Sequence, residues 1–152
     1  HLVGVDSDEH DERGHITEEL ADVALPMAQK RLVKNKKLKE EVMPPQEISM
    51  DGADTVPVGW GSSRAAMLEA LDLFKVNGVK AGVIHFSEMW PLPDYAFPAN
   101  KKFWTIESNA TGQLARLLRS EYNVIFEGSI QRYDGLPLTA NFIRTHFNAK
   151  RK

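Results

Sequence analysis

Cysteine is absent from the 152 residues. That removes disulfides, thiolate nucleophiles and Cys-ligated iron–sulfur clusters from the chemistry of this chain, so a redox metal centre must be held elsewhere. An excess of one charge is also missing: 19 Lys and Arg face 21 Asp and Glu, for a net charge of −2. The basic balance that accompanies nucleic-acid binding is therefore lacking. No apolar run approaches the ~18 residues of a membrane-spanning helix, and no charged-then-apolar leader precedes the first motif. We therefore expect a cytoplasmic chain with neither nucleic acid nor membrane as partner. The opening at His1 instead of Met reads as a domain cut from something larger. What is present, 42% hydrophobic and 26% charged residues, is ordinary globular composition, and the length suffices for one buried core.

Charge is segregated at the front. Residues 1–22 hold eight carboxylates and one Arg, after which Lys30, Arg31, Lys34, Lys36, Lys37 and Lys39 follow closely. The basic block lies on an expected helix from about Asp22 to Val42, with Pro26 in its first turn and only a loose apolar stripe of Leu25, Ala28, Leu32, Leu38 and Val42. Such a helix reads as a connector. Pro44-Pro45 stop it, and a boundary near residue 50 separates an acidic loop and basic helix (1–50) from an α/β domain (51–152).

Beyond the boundary, short β-rich runs alternate with amphipathic helices, the pattern of a parallel sheet built from βαβ units. The expected strands are Thr55–Val58, Val79–Phe86 and Phe103–Ile106, with short candidates at Val124–Phe126 and Ser129–Tyr133. The expected helices start after Ser62 or Ser63 as N-cap, at about Thr111, and after Thr139. Met67, Ala70, Leu71 and Phe74 mark the buried face of the first, and Gly78 closes it.

Two polar turns follow strands. In Gly59-Trp60-Gly61-Ser62-Ser63, backbone N–H groups at a helix start can hold a phosphate. The turn lacks the third Gly of a dinucleotide fingerprint and the Lys of a P-loop, so a tight turn with a serine cap accounts for it better than a phosphate site. Glu107-Ser108-Asn109-Ala110-Thr111-Gly112-Gln113 occupies the equivalent place after the third strand. Ligands of open α/β sheets gather at such carboxyl ends. Its side chains suit a small ligand, a neighbouring subunit or the capping of the next helix, and the sequence leaves these open. The candidate rim residues are thus Gly59, Gly61, Ser62, Ser63, Glu107, Asn109, Thr111, Gly112 and Gln113. Glu9-His10-Asp11-Glu12-Arg13-Gly14-His15 is rich in ligand types but has no metal-binding spacing, and reads as a solvated loop. His85 and His146 read as structural histidines, and no catalytic residue or metal site is assigned.

Taken in order, the segment Glu9 to Thr17, the Lys30-Arg31 helix, Val58-Gly59-Trp60-Gly61-Ser62-Ser63, Trp90-Pro91-Leu92-Pro93, Glu107 to Gln113 and Tyr133-Asp134-Gly135-Leu136-Pro137 form a recognisable set. Nearly the whole chain resembles the C-terminal part of the alpha subunit of 2-oxoacid:ferredoxin oxidoreductases, particularly the 2-oxoglutarate type. The resemblance implies a transketolase C-terminal-like domain, a three-layer α/β/α sandwich on a mostly parallel five-stranded sheet, preceded by a connector. It implies a complex that decarboxylates a 2-oxoacid oxidatively to an acyl-CoA, using thiamine diphosphate, magnesium, iron–sulfur clusters and CoA, none of them held by this chain. It implies a beta subunit, and gamma or delta subunits, as partners, with ferredoxin reached indirectly. The pyrimidine-binding domain of a full alpha subunit has no counterpart here, so the family's substrate-selecting residues cannot be carried over. A freestanding module holding a nucleotide or phosphate at Gly59 to Ser63 is the alternative.

Overall fold

The computed structural model describes residues 9–17 and 20–150, and the chain divides into two compact units, His1–Val42 and Met43–Lys152. In the first unit, β1 (Glu9–His10) pairs antiparallel with β2 (Ile16–Thr17). The expected solvated loop is therefore a small hairpin. Asp11 shapes its turn, its carboxyl accepting the N–H groups of Arg13 and His15, both at 2.9 Å. The His15 N–H above all holds that carboxyl below its ordinary pKa. A π-helical turn over Leu20–Ala24 leads into α1 (Leu25–Glu41), close to the expected connector helix. Arg31 on α1 forks onto the Glu9 carboxyl at 2.6 and 3.1 Å. The loose stripe is matched by exposure: α1 has no buried residue, and Leu25, Leu32, Val33 and Leu38 are exposed.

The second unit contains β3 (Gln46–Ile48), β4 (Thr55–Trp60), α2 (Ser63–Val76), β5 (Val83–Phe86), β6 (Lys102–Glu107), α3 (Gln113–Tyr122), β7 (Phe126–Gln131) and α4 (Ala140–Lys150). The five strands are ordered β3-β5-β4-β6-β7, all parallel except β3, which runs antiparallel to β5. Because β3 belongs to the sheet, the unit starts at Met43, some residues ahead of the boundary expected near 50.

Successive residues of a strand face opposite sides, and two apolar clusters follow. Val56, Val58, Ile84, Phe86, Phe103 and Phe126 pack with Leu114, Ala115 and Leu118 of α3. Val83, Trp104, Ile106 and Ile130 pack with α2 (Ala66, Met67, Ala70, Phe74) and α4 (Ala140, Ile143, Phe147). The result is the expected α/β/α sandwich on a mostly parallel five-stranded sheet.

Several local expectations shift. β4 runs on through Trp60, with Gly59 and Trp60 in register with His85 and Phe86, so the first two residues of the expected turn are strand. The strand expected from Val79 begins only at Val83, because Val79 and Gly78 close α2 by donating to the carbonyls of Phe74 and Lys75. The two short candidates near the end merge into β7. Gly128, which reads as a break, is mid-strand, where an added Cβ would lie 2.4 Å from the Trp104 ring. A glycine within a strand here marks a close packing contact. Thr139 caps α4 as expected, its hydroxyl accepting the Phe142 N–H at 3.2 Å. Between β5 and β6, Tyr95 and Phe97 pack edge to face, with ring centroids 5.1 Å apart. The Tyr95 hydroxyl donates to Glu47 at 2.6 Å and that of Tyr122 to the Pro93 carbonyl at 2.6 Å. Among the described residues, no helix is long and apolar enough to cross a membrane.

Candidate functional site

Gly59 lies where α2 begins close above β4: an added Cβ would stand 2.5 Å from Ser63 Oγ and 2.7 Å from the Met67 methyl. Gly61, at φ 54°, makes the turn. Its N–H donates to the Phe86 carbonyl at 3.2 Å, and its own carbonyl sits 2.9 Å from His85 Nε2. A carbonyl only accepts, so Nε2 carries the proton in this contact. The imidazole is buried, and its Nδ1 has no hydrogen-bond partner among the described residues. The expected serine cap does not form. An N-cap residue has extended backbone, whereas Ser62 is already helical at φ −67° and ψ −10° with no side-chain cap bond. Ser63 Oγ instead donates backward to the Trp60 carbonyl at 2.8 Å.

The second loop is built around Glu107, the last residue of β6 and 1% exposed. Its Oε2 accepts the Leu114 N–H at 2.8 Å and the Asn109 carboxamide N–H at 2.7 Å, and its Oε1 accepts the Ala115 N–H at 3.3 Å. Asn109 Oδ1 accepts the N–H groups of Thr111, Gly112 and Gln113 at 3.1, 2.8 and 3.2 Å. Five consecutive N–H groups at the start of α3 are thereby satisfied by two side chains. Gly112 is left-handed at φ 66°, and an added Cβ there would meet Gln131 Nε2 at 3.0 Å. Thr111 is exposed, its carbonyl taking the Arg116 guanidinium.

Since β4 and β6 are parallel neighbours, their C-terminal loops meet. Trp60, Gly61, Ser62 and Ser63 from one, and Glu107, Ser108, Asn109 and Gln113 from the other, line one cleft of about 180 Å3 with Ile106 at its floor. Of the remaining candidates, Gly59 lies beneath α2, and Thr111 and Gly112 stand outside the lining. No Lys, Arg or His lines the cleft. Its one carboxyl already receives three donors, and the helix N–H groups behind it are taken. This lining does not fit a magnesium-bridged diphosphate, which needs unoccupied oxygen ligands and donors for its phosphates.

Glu9 to His15 forms the hairpin, and among the described residues no group of three or more His, Asp or Glu is placed to hold a metal ion. His146 stacks on Phe142 with ring centroids 3.8 Å apart, its Nδ1 2.9 Å from the Phe142 carbonyl. Sequence reasoning passed over Arg132, whose guanidinium lies over the Phe142 ring, 4.6 Å from its centroid. Arg132 also binds Asp134 at 2.9 Å and the Pro137 carbonyl at 2.7 Å, folding Tyr133 to Pro137 around itself. The Arg132 bond holds the Asp134 carboxyl below its ordinary pKa. An Arg-x-Asp triplet alone does not announce this.

No protein-family model matches the chain. The alpha subunit of 2-oxoacid:ferredoxin oxidoreductase 2 from Aeropyrum pernix is 31% identical over an alignment 137 residues long that covers 86% of this chain and 21% of that subunit. The chain thus spans about a fifth of the length of this curated relative. The solved 2-oxoglutarate:ferredoxin oxidoreductase from Magnetococcus marinus, with 2-oxoglutarate, coenzyme A and succinyl-CoA bound, superposes with a TM-score of 0.76 at 26% identity, over 99% of this chain and 27% of the other. A transketolase from Pichia stipitis shares the fold at a TM-score of 0.52 and 13% identity, over 70% of this chain and 18% of its own. Over most of its length the chain is therefore similar to part of the alpha subunit of 2-oxoacid:ferredoxin oxidoreductases, consistent with the C-terminal part, on a transketolase-type α/β fold.

Proposed function

We propose that this chain serves as the C-terminal domain of a 2-oxoacid:ferredoxin oxidoreductase alpha subunit, acting in the cytoplasm through assembly and positioning, without an active site of its own. The observation that carries the reading is similarity to such an alpha subunit at 31% identity over 86% of the chain. In the complete enzyme a 2-oxoacid of the 2-oxoglutarate class loses CO2, its acyl group passes to CoA, and two electrons leave through iron–sulfur clusters to ferredoxin. Thiamine diphosphate and magnesium belong to other parts of that enzyme, with the beta subunit, and gamma or delta subunits, as direct partners. The two-loop rim from Gly59 to Ser63 and from Glu107 to Gln113 is the face we assign to contact with the cofactor-bearing parts. Its small cleft and internally saturated loop support a contact role better than a ligand role.

Co-expression of the tagged chain with the remaining alpha and beta polypeptides of the oxidoreductase tests the reading. We expect stoichiometric co-purification, and CoA- and 2-oxoacid-dependent ferredoxin reduction that requires the chain. Full activity of a complex from which the chain is missing would sink the proposal.

A further inference from the structure

Exposed aromatic side chains in the second unit are not scattered. Trp60 is 46% exposed, Trp90 67% and Tyr133 70%. Each lies at or just beyond the C-terminal end of a parallel strand: Trp60 ends β4, Trp90 is on the segment leaving β5, and Tyr133 on that leaving β7. Leu136, 59% exposed, joins Tyr133. The lysines have the opposite distribution. Lys75 ends α2, Lys80 precedes β5, and Lys101 and Lys102 open β6, so all four lie at the N-terminal edge. Lys150, at the end of α4, bonds the Ser129 carbonyl. No described lysine falls on the segments that leave the C-terminal strand ends. The arginines near that edge are held within the chain: Arg64 by Gln46, Arg116 by the Thr111 carbonyl, and Arg132 by Asp134 and Pro137. Enrichment in Trp and Tyr with depletion of Lys is part of the composition of a protein–protein contact. Tyrosine and tryptophan are also the commonest energetic anchors of such contacts.

We infer that the segments leaving the C-terminal ends of β4, β5 and β7 form a protein-docking surface anchored by Trp60, Trp90 and Tyr133, occupied by the cofactor-bearing body of the oxidoreductase alpha subunit. The inference rests on the function proposed above and extends its rim to two further loops. A small-molecule occupant is disfavoured, because the cleft at this edge holds about 180 Å3, below the roughly 300–1,000 Å3 of drug-sized ligand pockets. The occupant follows from proportion. The chain equals 21% and 27% of the lengths of the two oxidoreductase relatives described above, so in each of them a body several times larger accompanies this domain. A second copy meeting this edge with its own about a two-fold axis is the competing occupant; a dimer of the purified chain that the rim substitutions break overturns the assignment to the alpha-subunit body.

The test uses the full chain, tagged and co-expressed with the remaining alpha and beta polypeptides, in wild-type form and as Trp60→Ala, Trp90→Ala and Tyr133→Ala. Val76→Ser and Ile125→Ser, apolar residues still more exposed (85% and 84%) but at the opposite edge, are the controls. The thermal midpoint of each purified chain separates loss of the surface from loss of the fold, and Trp60→Phe, which keeps a ring, provides a milder second variant. We expect each aromatic-to-Ala change to weaken association by about tenfold or more, Trp60→Phe less, and the controls by no more than about twofold. Association unchanged by the three rim substitutions, or weakened equally by the controls, overturns the docking surface while leaving the proposed function intact. Failure of the wild-type chain to associate at all overturns the proposed function and the docking surface with it.

Discussion

Replacing Glu107 by Ala would strip two helix N–H groups and the Asn109 carboxamide of their acceptor in a site that is 1% exposed. Lost capping and buried unpaired donors together should cost about 2–4 kcal/mol, read as a lower denaturant midpoint in urea unfolding. Gly128→Ala acts through volume. Its Cβ would overlap the Trp104 ring at 2.4 Å, and we expect a loss of about 1–3 kcal/mol, as overpacking of a filled core gives. A second Ala at Gly52, which has open space around it, should cost only the ~1–2 kcal/mol of a left-handed backbone. Tyr122 supplies a pH dependence. Burial first, then the Asp94 and Glu121 carboxyls, push its hydroxyl from 10.0 up to about 12. The folded state thus favours the neutral phenol: this contribution is complete below about pH 10 and is lost as pH rises toward 12. Thermal midpoints measured from pH 9 to 12 should fall, and the fall should be shallower in Tyr122→Phe.

At the scale of elements, α1 carries only a loose apolar stripe and α2 a regular one, and only α2 has a buried face. α2 buries Ser63, Ala66, Met67, Ala70 and Phe74, while α1 buries none and is tied within its own unit by the fork of Arg31 on Glu9. Exposed ion pairs contribute little, so α1 depends mainly on its own backbone bonds. Hydrogen exchange of the isolated chain should find the α1 amides exchanging faster than those of α2; equal protection would show that α1 is covered by a contact not seen here. The start of α3 differs from that of α2 in a way that matters for binding. Glu107 and Asn109 fill the α3 terminus from within, so the anion-attracting end of that helix is spent on its own loop.

For the whole molecule, two features limit what the chain does alone. It has no cysteine to hold a cluster, and its rim cleft has no cationic side chain and no open carboxyl. Titration of the purified chain with thiamine diphosphate and magnesium, followed by fluorescence of the rim tryptophan or by calorimetry, should show no saturable binding. One-to-one binding would place the cofactor site in this chain and contradict the positioning role. Exposed aromatics gathered at one edge and lysines at the other fit a domain that acts by being held in place, where small displacements at a distance affect rate.

The sequence by itself determined the class of fold. Short β-rich runs and helical spacing, with Gly78 and Thr139 as punctuation, are local signals, and they located α2, α3, α4 and the parallel strands to within a few residues. The ordered motifs likewise point to the oxidoreductase alpha subunit. Only the tertiary structure decided the rest, because the deciding partners are distant in sequence. Gln46–Ile48 becomes a strand only because β5 lies beside it. Gly128 stays within β7 because Trp104, 24 residues earlier, requires the space above it. Glu107 and Ser63, both offered by the sequence as ligand candidates, turn to the backbone: one caps a helix seven and eight residues ahead, the other bonds the carbonyl three residues behind. Which side chains remained free to meet a partner was settled by these bonds, and no reading of residue types along the chain contains them.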